Sequence, residues 1–295
     1  MKKLASVAFG CLLVLAAGFA FAGDGTAEFS KGLLWKVERA DTQPSYIFGT
    51  IHLDDARLTN FPALVEKTFM RSKSFTMEMI IDETSTEKFT ASMLRDDGSD
   101  LKVLLGEPLY TQTTKVMLEE YGMPSELTAR FKPWALMLTL VLPKERQGAI
   151  VDDVLYQQAL EQHKSVYQLE SIEEQIAVFD GLSMEVQIGL LKEAVEHHDM
   201  IPGLVEKSIK AYLKRDLGAM WEINNSMLED EADKTLNDAF LQRVLYNRNM
   251  RMAERMQPRL AEGAAFIAIG ALHLYGDRGV LSLLQSRGYR VTRLY

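Results

Sequence analysis

Cysteine and proline are scarce in this sequence. Only one of its 295 residues is cysteine, Cys11, and eight are proline. A disulfide within the chain is therefore excluded, and stability has to come from a hydrophobic core. Eight prolines and 19 glycines are also too few for long linkers. The length suits one large domain or two closely packed ones.

An excess of positive charge is also missing. The chain carries 33 basic and 41 acidic residues, which gives a net charge of −8, and its pI is about 5.3. It has no basic stripe of the kind that a protein coating nucleic acid needs. The acidic balance also argues against binding to anionic membranes. We therefore expect neither nucleic acid nor a membrane surface as a partner.

One hydrophobic run stands out, and it lies at the N-terminus. Lys2 and Lys3 precede an apolar stretch from Leu4 to Ala20, and Ala20-Phe21-Ala22 fits the small-x-small pattern before a cleavage site. We predict a signal peptide over residues 1–22, cut after Ala22, and a periplasmic or secreted mature chain. A retained anchor is the alternative, because about 17 apolar residues is the lower limit for a membrane span.

Cleavage would change the net charge and the cysteine content of the mature chain, residues 23–295. It would remove two lysines and no acidic residue, which leaves 31 basic and 41 acidic residues and a net charge of −10. Cys11 would be removed as well, so the mature protein would have no cysteine nucleophile. No second stretch reaches about 18 apolar residues, which predicts no stable membrane insertion after cleavage.

Hydrophobic patterning predicts an α/β fold. Turn residues at 41–44 predict a hairpin between the first two strands, and the order strand, helix, strand over 45–81 is typical of a βαβ unit. Apolar residues recur every three or four positions between 84 and 262, which predicts a long helical segment interrupted by a strand near 165–170. We expect a mixed, largely parallel sheet flanked by helices. The predicted strands are 33–38, 45–51, 75–81, 165–169, 264–269 and 289–294.

Two features of the helical segment are more specific. The run from Trp134 to Leu142 is too apolar for a surface helix and too short to cross a membrane, so it predicts a buried helix. Ser171 and Glu174 have the spacing of a capping box, which predicts the start of a helix directly after the strand near 165–170.

Two of the five histidines share one local pattern. His52 and His273 each follow an apolar strand signal and a glycine three residues earlier. Glycine allows a sharp turn or a close approach of the backbone, and ligands of open α/β sheets bind where the strands end. Each imidazole either caps its strand through a backbone hydrogen bond or serves as a ligand, because neutral imidazole is a common metal ligand. His163 and the His197-His198 pair lie among charged residues and are interpreted as surface positions.

Two carboxylates accompany the predicted strands. Glu78 lies within Phe75–Ile81, an apolar strand in which a charge has to be paired unless it faces water at a sheet edge. Glu170 ends the strand that starts at Ser165, where it either contributes to a site or stabilises the N-terminus of the following helix. Two imidazoles with one or two such carboxylates form a plausible divalent-metal site.

Several catalytic motifs are absent. The sequence has no G-x-S-x-G elbow, H-E-x-x-H helix, phosphate-binding Walker loop or dinucleotide glycine motif. These absences exclude the usual serine hydrolases, zincins, NTPases and Rossmann enzymes.

The motifs taken together resemble the TraB/GumN family, which includes the Tiki proteases. The resemblance extends over about residues 31–295. Its most specific parts are the two Gly-x-x-His motifs in their order along the chain. The matching segments are Gly32–Val37, Ser45–Leu53, Lys132-Pro133-Trp134, Leu169-Glu170, Arg248-Asn249 and Ala268–Gly276.

The resemblance implies a mixed α/β fold similar to erythromycin-esterase-like and ChaN-like proteins. In the Tiki branch, the two Gly-x-x-His motifs and a strand glutamate are associated with metal-dependent peptide hydrolysis, with manganese or cobalt favoured. The corresponding positions here are His52, His273 and Glu78. Arg248, Asn249 and Glu170 match less closely, as residues that support the site or bind substrate.

We therefore expect a divalent ion of manganese, cobalt or zinc held by His52, His273 and Glu78. Glu78 or Glu170 would act as general base, and Arg248 would stabilise an oxyanion or orient an anionic substrate group. The expected partner is a peptide or small-molecule substrate; the sequence does not specify an oligomeric state. Two alternatives remain: hydrolysis by histidine and glutamate without metal, and a periplasmic protein that binds metal, haem or peptide without turnover.

Overall fold

The computed structural model describes residues 28–141, 149–225 and 237–295. The predicted signal peptide, with Cys11 and its cleavage site, lies outside the described residues. Within them, no helix is both long enough and apolar enough to cross a membrane.

A single mixed sheet forms the centre of the described chain. Its strands are β1 (Leu34–Glu38), β2 (Ser45–Thr50), β3 (Ser74–Met77), β4 (Ser165–Gln168), β5 (Ala265–Gly270) and β6 (Arg290–Arg293). Their spatial order is β4-β3-β5-β2-β1-β6. The four strands from β4 to β2 run parallel to one another, whereas β1 is antiparallel to both β2 and β6. The predicted mixed, largely parallel sheet and the β1–β2 hairpin are confirmed.

Helices flank this sheet, as predicted. They occupy Ala63–Arg71, Glu83–Ser92, Leu101–Leu105, Glu107–Tyr121, Ser125–Thr128, Pro133–Val141, Val151–Glu161, Ile172–Asp180, Met184–Glu196, Ile201–Leu213, Leu217–Asn225, Asn247–Arg255, Gln257–Glu262 and Val280–Ser286. Short 3-10 turns lie at His198–Met200 and Ala271–Leu274, and a π-helical turn lies at Gln242–Tyr246. The long helical segment is therefore made of several helices, interrupted by β4.

The sequence explains why β5 lies at the centre of the parallel strands. All six of its residues are buried, because a parallel strand is covered by helices on both faces and has no polar side. This strand comes from the C-terminal part of the chain and inserts between β2 and β3. It thereby brings the second Gly-x-x-His motif next to the first.

The two specific helix predictions are also confirmed. Every residue of Pro133–Val141 is buried, and Trp134 stacks on Phe179 with ring centroids 5.2 Å apart. The indole N–H of Trp134 donates to Asp180 over 2.8 Å, so this buried ring keeps its hydrogen bond. Ser171 and Glu174 form the predicted capping box at the start of Ile172–Asp180.

One strand is shorter than predicted. We expected a strand over 75–81 with Glu78 in its interior, but β3 ends at Met77. The ladder stops there because the Glu78 carbonyl accepts the N–H groups of both Leu169 and Glu170, and the Ile80 N–H donates to the Gln168 side chain. Glu78 thus lies just beyond the strand end. The alternative that it faces water at a sheet edge is wrong, because β3 lies between β4 and β5 and Glu78 is only 7% exposed.

Candidate active site

The two Gly-x-x-His motifs meet at one edge of the sheet. Strands β2 and β5 are parallel neighbours, with Gly49 opposite Ile269 and Thr50 opposite Gly270. The carboxyl ends of parallel neighbours lie side by side, so the segments that follow them carry His52 and His273 to the same place.

Gly49 has a steric role in this meeting of motifs. A Cβ atom at Gly49 would lie 3.1 Å from the Cα of Ala271 and 2.9 Å from a methyl group of Leu274. Both neighbours belong to the 3-10 turn that contains His273. The glycine of the first motif is therefore needed because the turn of the second motif packs against its backbone.

Replacing Gly49 with alanine should destabilise the protein, because the added methyl group has to displace this turn. We expect a loss of about 1–3 kcal/mol in the free energy of unfolding, as for other overpacked positions. The change is measured by urea denaturation. Gly203→Ala is the matched control, since a Cβ at Gly203 meets nothing within 4 Å. Equal stability of the two variants would contradict this role for Gly49.

Both imidazoles are held through the Nδ1 atom. His52 Nδ1 lies 2.9 Å from Asp152 Oδ2, and His273 Nδ1 lies 2.5 Å from Asn249 Oδ1. Both Nε2 atoms then face one oxygen, Glu78 Oε1, at 3.8 Å for His52 and 3.7 Å for His273. The structure thus brings together the three residues predicted as metal ligands.

The two histidines differ in burial and in charge. His273 is fully buried, and its Nε2 has no hydrogen-bond partner among the described residues. Burial lowers the pKa of His273 to about 3, and Arg248 adds to this against the opposing effect of Glu78. Burial acts in the same direction on His52, but Asp152 and Glu78 outweigh it and raise the pKa of His52 to about 10. His273 is therefore neutral and presents a lone pair, whereas His52 holds a proton that a bound metal ion would have to displace.

Glu78 is held as a charged carboxylate. Burial by itself raises its pKa, but Arg248 together with His273 and His52 outweighs this, and the pKa of Glu78 lies well below its usual range. Arg248 Nη2 donates to Glu78 Oε2 over 2.5 Å, and the Gly270 N–H donates to Oε1 over 2.6 Å. The second motif therefore contributes both an imidazole and, through its glycine, a backbone donor that fixes the carboxylate.

Arg248 lies beneath the site and not within its opening. Its side chain is fully buried, and besides Glu78 it donates to Glu170 Oε2 over 2.9 Å and to the Val244 carbonyl over 3.1 Å. We predicted that Arg248 contacts substrate or an oxyanion. The burial and these hydrogen bonds instead favour a positioning role, in which Arg248 holds Glu78.

Glu170 supports Arg248 from the other side. It is 2% exposed and accepts hydrogen bonds from Gln175 and Arg251, each over 2.8 Å, in addition to that from Arg248. A carboxylate with all of these donors is poorly placed to take a proton from water. Glu78 also accepts hydrogen bonds from Arg248 and Gly270, but it faces both histidines, so it is the better candidate of the two predicted general bases.

Asn249 and Asp152 orient the two histidines. The Asn249 side-chain N–H donates to the Arg278 carbonyl over 2.8 Å, which turns Oδ1 toward His273. Thr50 donates to Asp152 Oδ1 over 3.0 Å and leaves Oδ2 for His52. Metal-binding histidines usually donate the second ring N–H to an oxygen acceptor in this way.

Sequence reasoning missed Asp152. We considered only carboxylates on strands, whereas Asp152 lies in the first turn of the helix Val151–Glu161. The available signal was an acidic residue directly after the apolar Ile150 and Val151, at a position that is 6% exposed in the structure. Among the described histidines, only His52 and His273 contact the residues of this site. His163, His197 and His198 are not part of it.

A pocket opens beside the first histidine. Its lining residues are His52, Met77, Glu78, Met79, Ile81, Ile150, Asp152, Asp153 and Gln175. The pocket gives a substrate access to Glu78 and His52, and both acidic and apolar side chains line it.

The donor atoms suit a divalent ion. Within the described ranges, no three His, Cys, Asp or Glu side chains already form a complete ligand cluster. Two donors of one ion, each at about 2.0–2.2 Å, lie at most about 4.4 Å apart, and the distances of 3.7 and 3.8 Å from Glu78 Oε1 to the two Nε2 atoms fall within this limit. The buried Nε2 of His273, which has no described partner, is a donor that an ion would satisfy.

The fold and the site define a mixed α/β protein with a histidine and carboxylate centre where its parallel strands end. The chain belongs to the TraB/PrgY/gumN family, whose sequence pattern matches residues 33–293. The resemblance seen in the sequence is thereby confirmed.

Individual relatives are similar to this chain at modest identity. Metalloprotease TIKI2 of Danio rerio is 27% identical over 88% of this chain and 60% of its own length. Metalloprotease TIKI1 of Homo sapiens is 26% identical over 95% of this chain and 67% of its own length. The uncharacterized protein YbaP of Shigella flexneri is 21% identical over 82% of this chain and 88% of its own length. The chain thus spans about 60% of the length of the first of these relatives. No solved structure matches it.

Proposed function

We propose that this protein is a metal-dependent hydrolase of the cell envelope that cleaves a peptide or amide bond. His52, His273 and Glu78 would hold a divalent ion of manganese, cobalt or zinc. The proposal is supported by the names of the Tiki relatives, which are metalloproteases. It is also supported by the predicted signal peptide, which would direct the mature chain to an oxidising compartment.

One observation carries the proposal. Both Nδ1 atoms are occupied by fixed oxygen acceptors, and both Nε2 atoms face the same oxygen of Glu78. A histidine that merely caps a strand would use its ring nitrogens for hydrogen bonds to nearby backbone groups. The shared direction of His52 and His273 toward one carboxylate oxygen is instead the arrangement that a common ligand requires.

The residues of the chain then have distinct tasks. A bound divalent ion would lower the pKa of a water molecule and polarise the scissile carbonyl. Glu78 offers the carboxylate oxygen that can bind the ion or accept a proton beside it, and Arg248 keeps that carboxylate ionised. Asp152 and Asn249 fix the two imidazoles, while Glu170 holds Arg248 in place.

Turnover of a peptide library by the mature protein, with added manganese, cobalt or zinc, tests the proposal. We expect hydrolysis that a chelator abolishes and that the metal restores. Glu78→Gln should lower kcat/KM by about 10²–10⁴-fold, the usual contribution of a positioned acid or base. Glu173→Gln is the control, since Glu173 is an exposed residue paired with Lys88. Full activity of Glu78→Gln would contradict the assignment.

One observation favours hydrolysis without metal as a second candidate. His52 lies between Asp152 and Glu78, and its raised pKa, about 10, keeps the ring charged. A cationic imidazole of this kind can donate a proton to a leaving group. Turnover that persists in chelator would support this candidate, and a tightly bound ligand without any turnover would support the binding protein.

A further inference from the structure

We propose that Met77, Met79 and Ile150 form a specificity subsite that takes an apolar side chain of the substrate next to the bond that is cleaved. This inference rests on the proposed hydrolytic function and adds the chemistry of the substrate. The three residues line the same pocket as His52 and Glu78. A peptide that reaches the reacting groups therefore lies against these apolar side chains.

The end of β3 gives the subsite its unusual composition. In a regular strand Glu78 would point to the face opposite Met77 and Met79. Because β3 ends at Met77, the three consecutive residues instead line one pocket, with the carboxylate between the two methionines. The reacting carboxylate and the apolar wall are thus adjacent along the chain, and a substrate side chain beside the scissile bond meets the wall directly.

The apolar residues that line the pocket range from buried to exposed. Met77, Met79 and Ile150 are 5%, 7% and 7% exposed, whereas Ile81 is 39% exposed. The buried members offer apolar surface that a substrate side chain can cover. Ile81, which lines the same pocket, adds exposed apolar surface that a substrate side chain can also cover.

The side chains also indicate which residues the subsite accepts. Methionine is flexible and polarisable, so two methionines adapt to apolar groups of different shape. The same pocket is also lined by the carboxylates of Glu78, Asp152 and Asp153. An aspartate or glutamate of the substrate would face like charges there and lose its hydration. The subsite thus favours leucine, methionine or another apolar residue and rejects acidic ones.

A fluorescent peptide series that differs at one residue tests the subsite. The varied residue is norleucine, leucine, alanine or aspartate, placed on either side of the cleaved bond, with manganese added. We expect kcat/KM to be about 10–200-fold higher for leucine than for alanine or aspartate, the range for apolar discrimination. Met79→Ala should remove most of this difference by lowering kcat/KM for the leucine peptide. Met79→Leu, which conserves volume, should retain it.

Met200→Ala is the control, because Met200 is 53% exposed and lies outside the pocket. Thermal melting of each variant shows whether it is folded. Binding of the same peptides by fluorescence anisotropy separates this proposal from the hydrolytic one. Tighter binding of apolar peptides without cleavage would support the subsite and overturn the hydrolase. Cleavage without any preference, or the same preference in Met79→Ala, would overturn the subsite. Neither binding nor cleavage would overturn both.

Discussion

Replacing either His52 or His273 with alanine should remove the metal from the purified protein and abolish turnover. Each substitution deletes one of the two Nε2 atoms that face Glu78 Oε1. One imidazole and one carboxylate then remain, and a site that has lost a ligand binds a divalent ion far more weakly. The measurement is metal analysis of the mature protein, purified without chelator or affinity metal, beside each variant.

His197→Ala is the matched control for the two histidine variants. The His197 side chain is 40% exposed and pairs with Glu193, four residues earlier in the chain, so its removal should leave metal content and turnover unchanged. Circular dichroism shows whether the variants keep the fold. Near-stoichiometric metal in either His52→Ala or His273→Ala would contradict a shared site. No metal in the parent, with none taken up on addition, would favour hydrolysis without metal or the binding protein.

The parts of this site that the sequence predicts are those encoded locally. The Gly-x-x-His spacing at His52 and His273 is a property of a few neighbouring residues. The continuous apolar runs predict that each motif follows a strand. They also predict that these strands form a parallel sheet. Gly49 can be identified from the sequence, although the steric reason for it lies in the turn of the second motif. Such features remain the same whatever the distant packing is.

The parts that could not be predicted depend on contacts between distant segments. Asp152 orients His52 across 100 residues of sequence, and Arg248 reaches Glu78 across 170. Whether a helical arginine faces solvent, substrate or a buried carboxylate is decided by packing, and periodicity alone predicted only an amphipathic helix. The end of β3 at Met77 likewise depends on where Leu169 and Glu170 donate their N–H groups.

Removing Arg248 should have the largest effect on stability. Arg248→Met keeps an unbranched stem but leaves Glu78 and Glu170 buried without their shared cation. We expect the free energy of unfolding to fall by about 3–5 kcal/mol, since breaking a buried ion pair on one side leaves uncompensated charge. Urea denaturation followed by circular dichroism measures this change. Arg255→Met is the control, because Arg255 pairs with Glu174 near the surface and such a pair contributes about 0–1 kcal/mol.

The same network predicts a compensating variant. If the penalty in Arg248→Met comes from the two carboxylates that lose this cation, neutralising them in Arg248→Met/Glu78→Gln/Glu170→Gln should restore part of the lost stability, although the triple variant would be inactive. If the penalty came from a cavity instead, the added substitutions would not reduce it, because the volume at Arg248 is the same in both proteins. A triple variant no more stable than Arg248→Met would therefore contradict the electrostatic account, and so would an Arg248→Met protein as stable as Arg255→Met. Recovery would show that Arg248 is required because it pairs with two buried carboxylates beneath the histidines, which explains a fully buried arginine so close to a candidate metal centre.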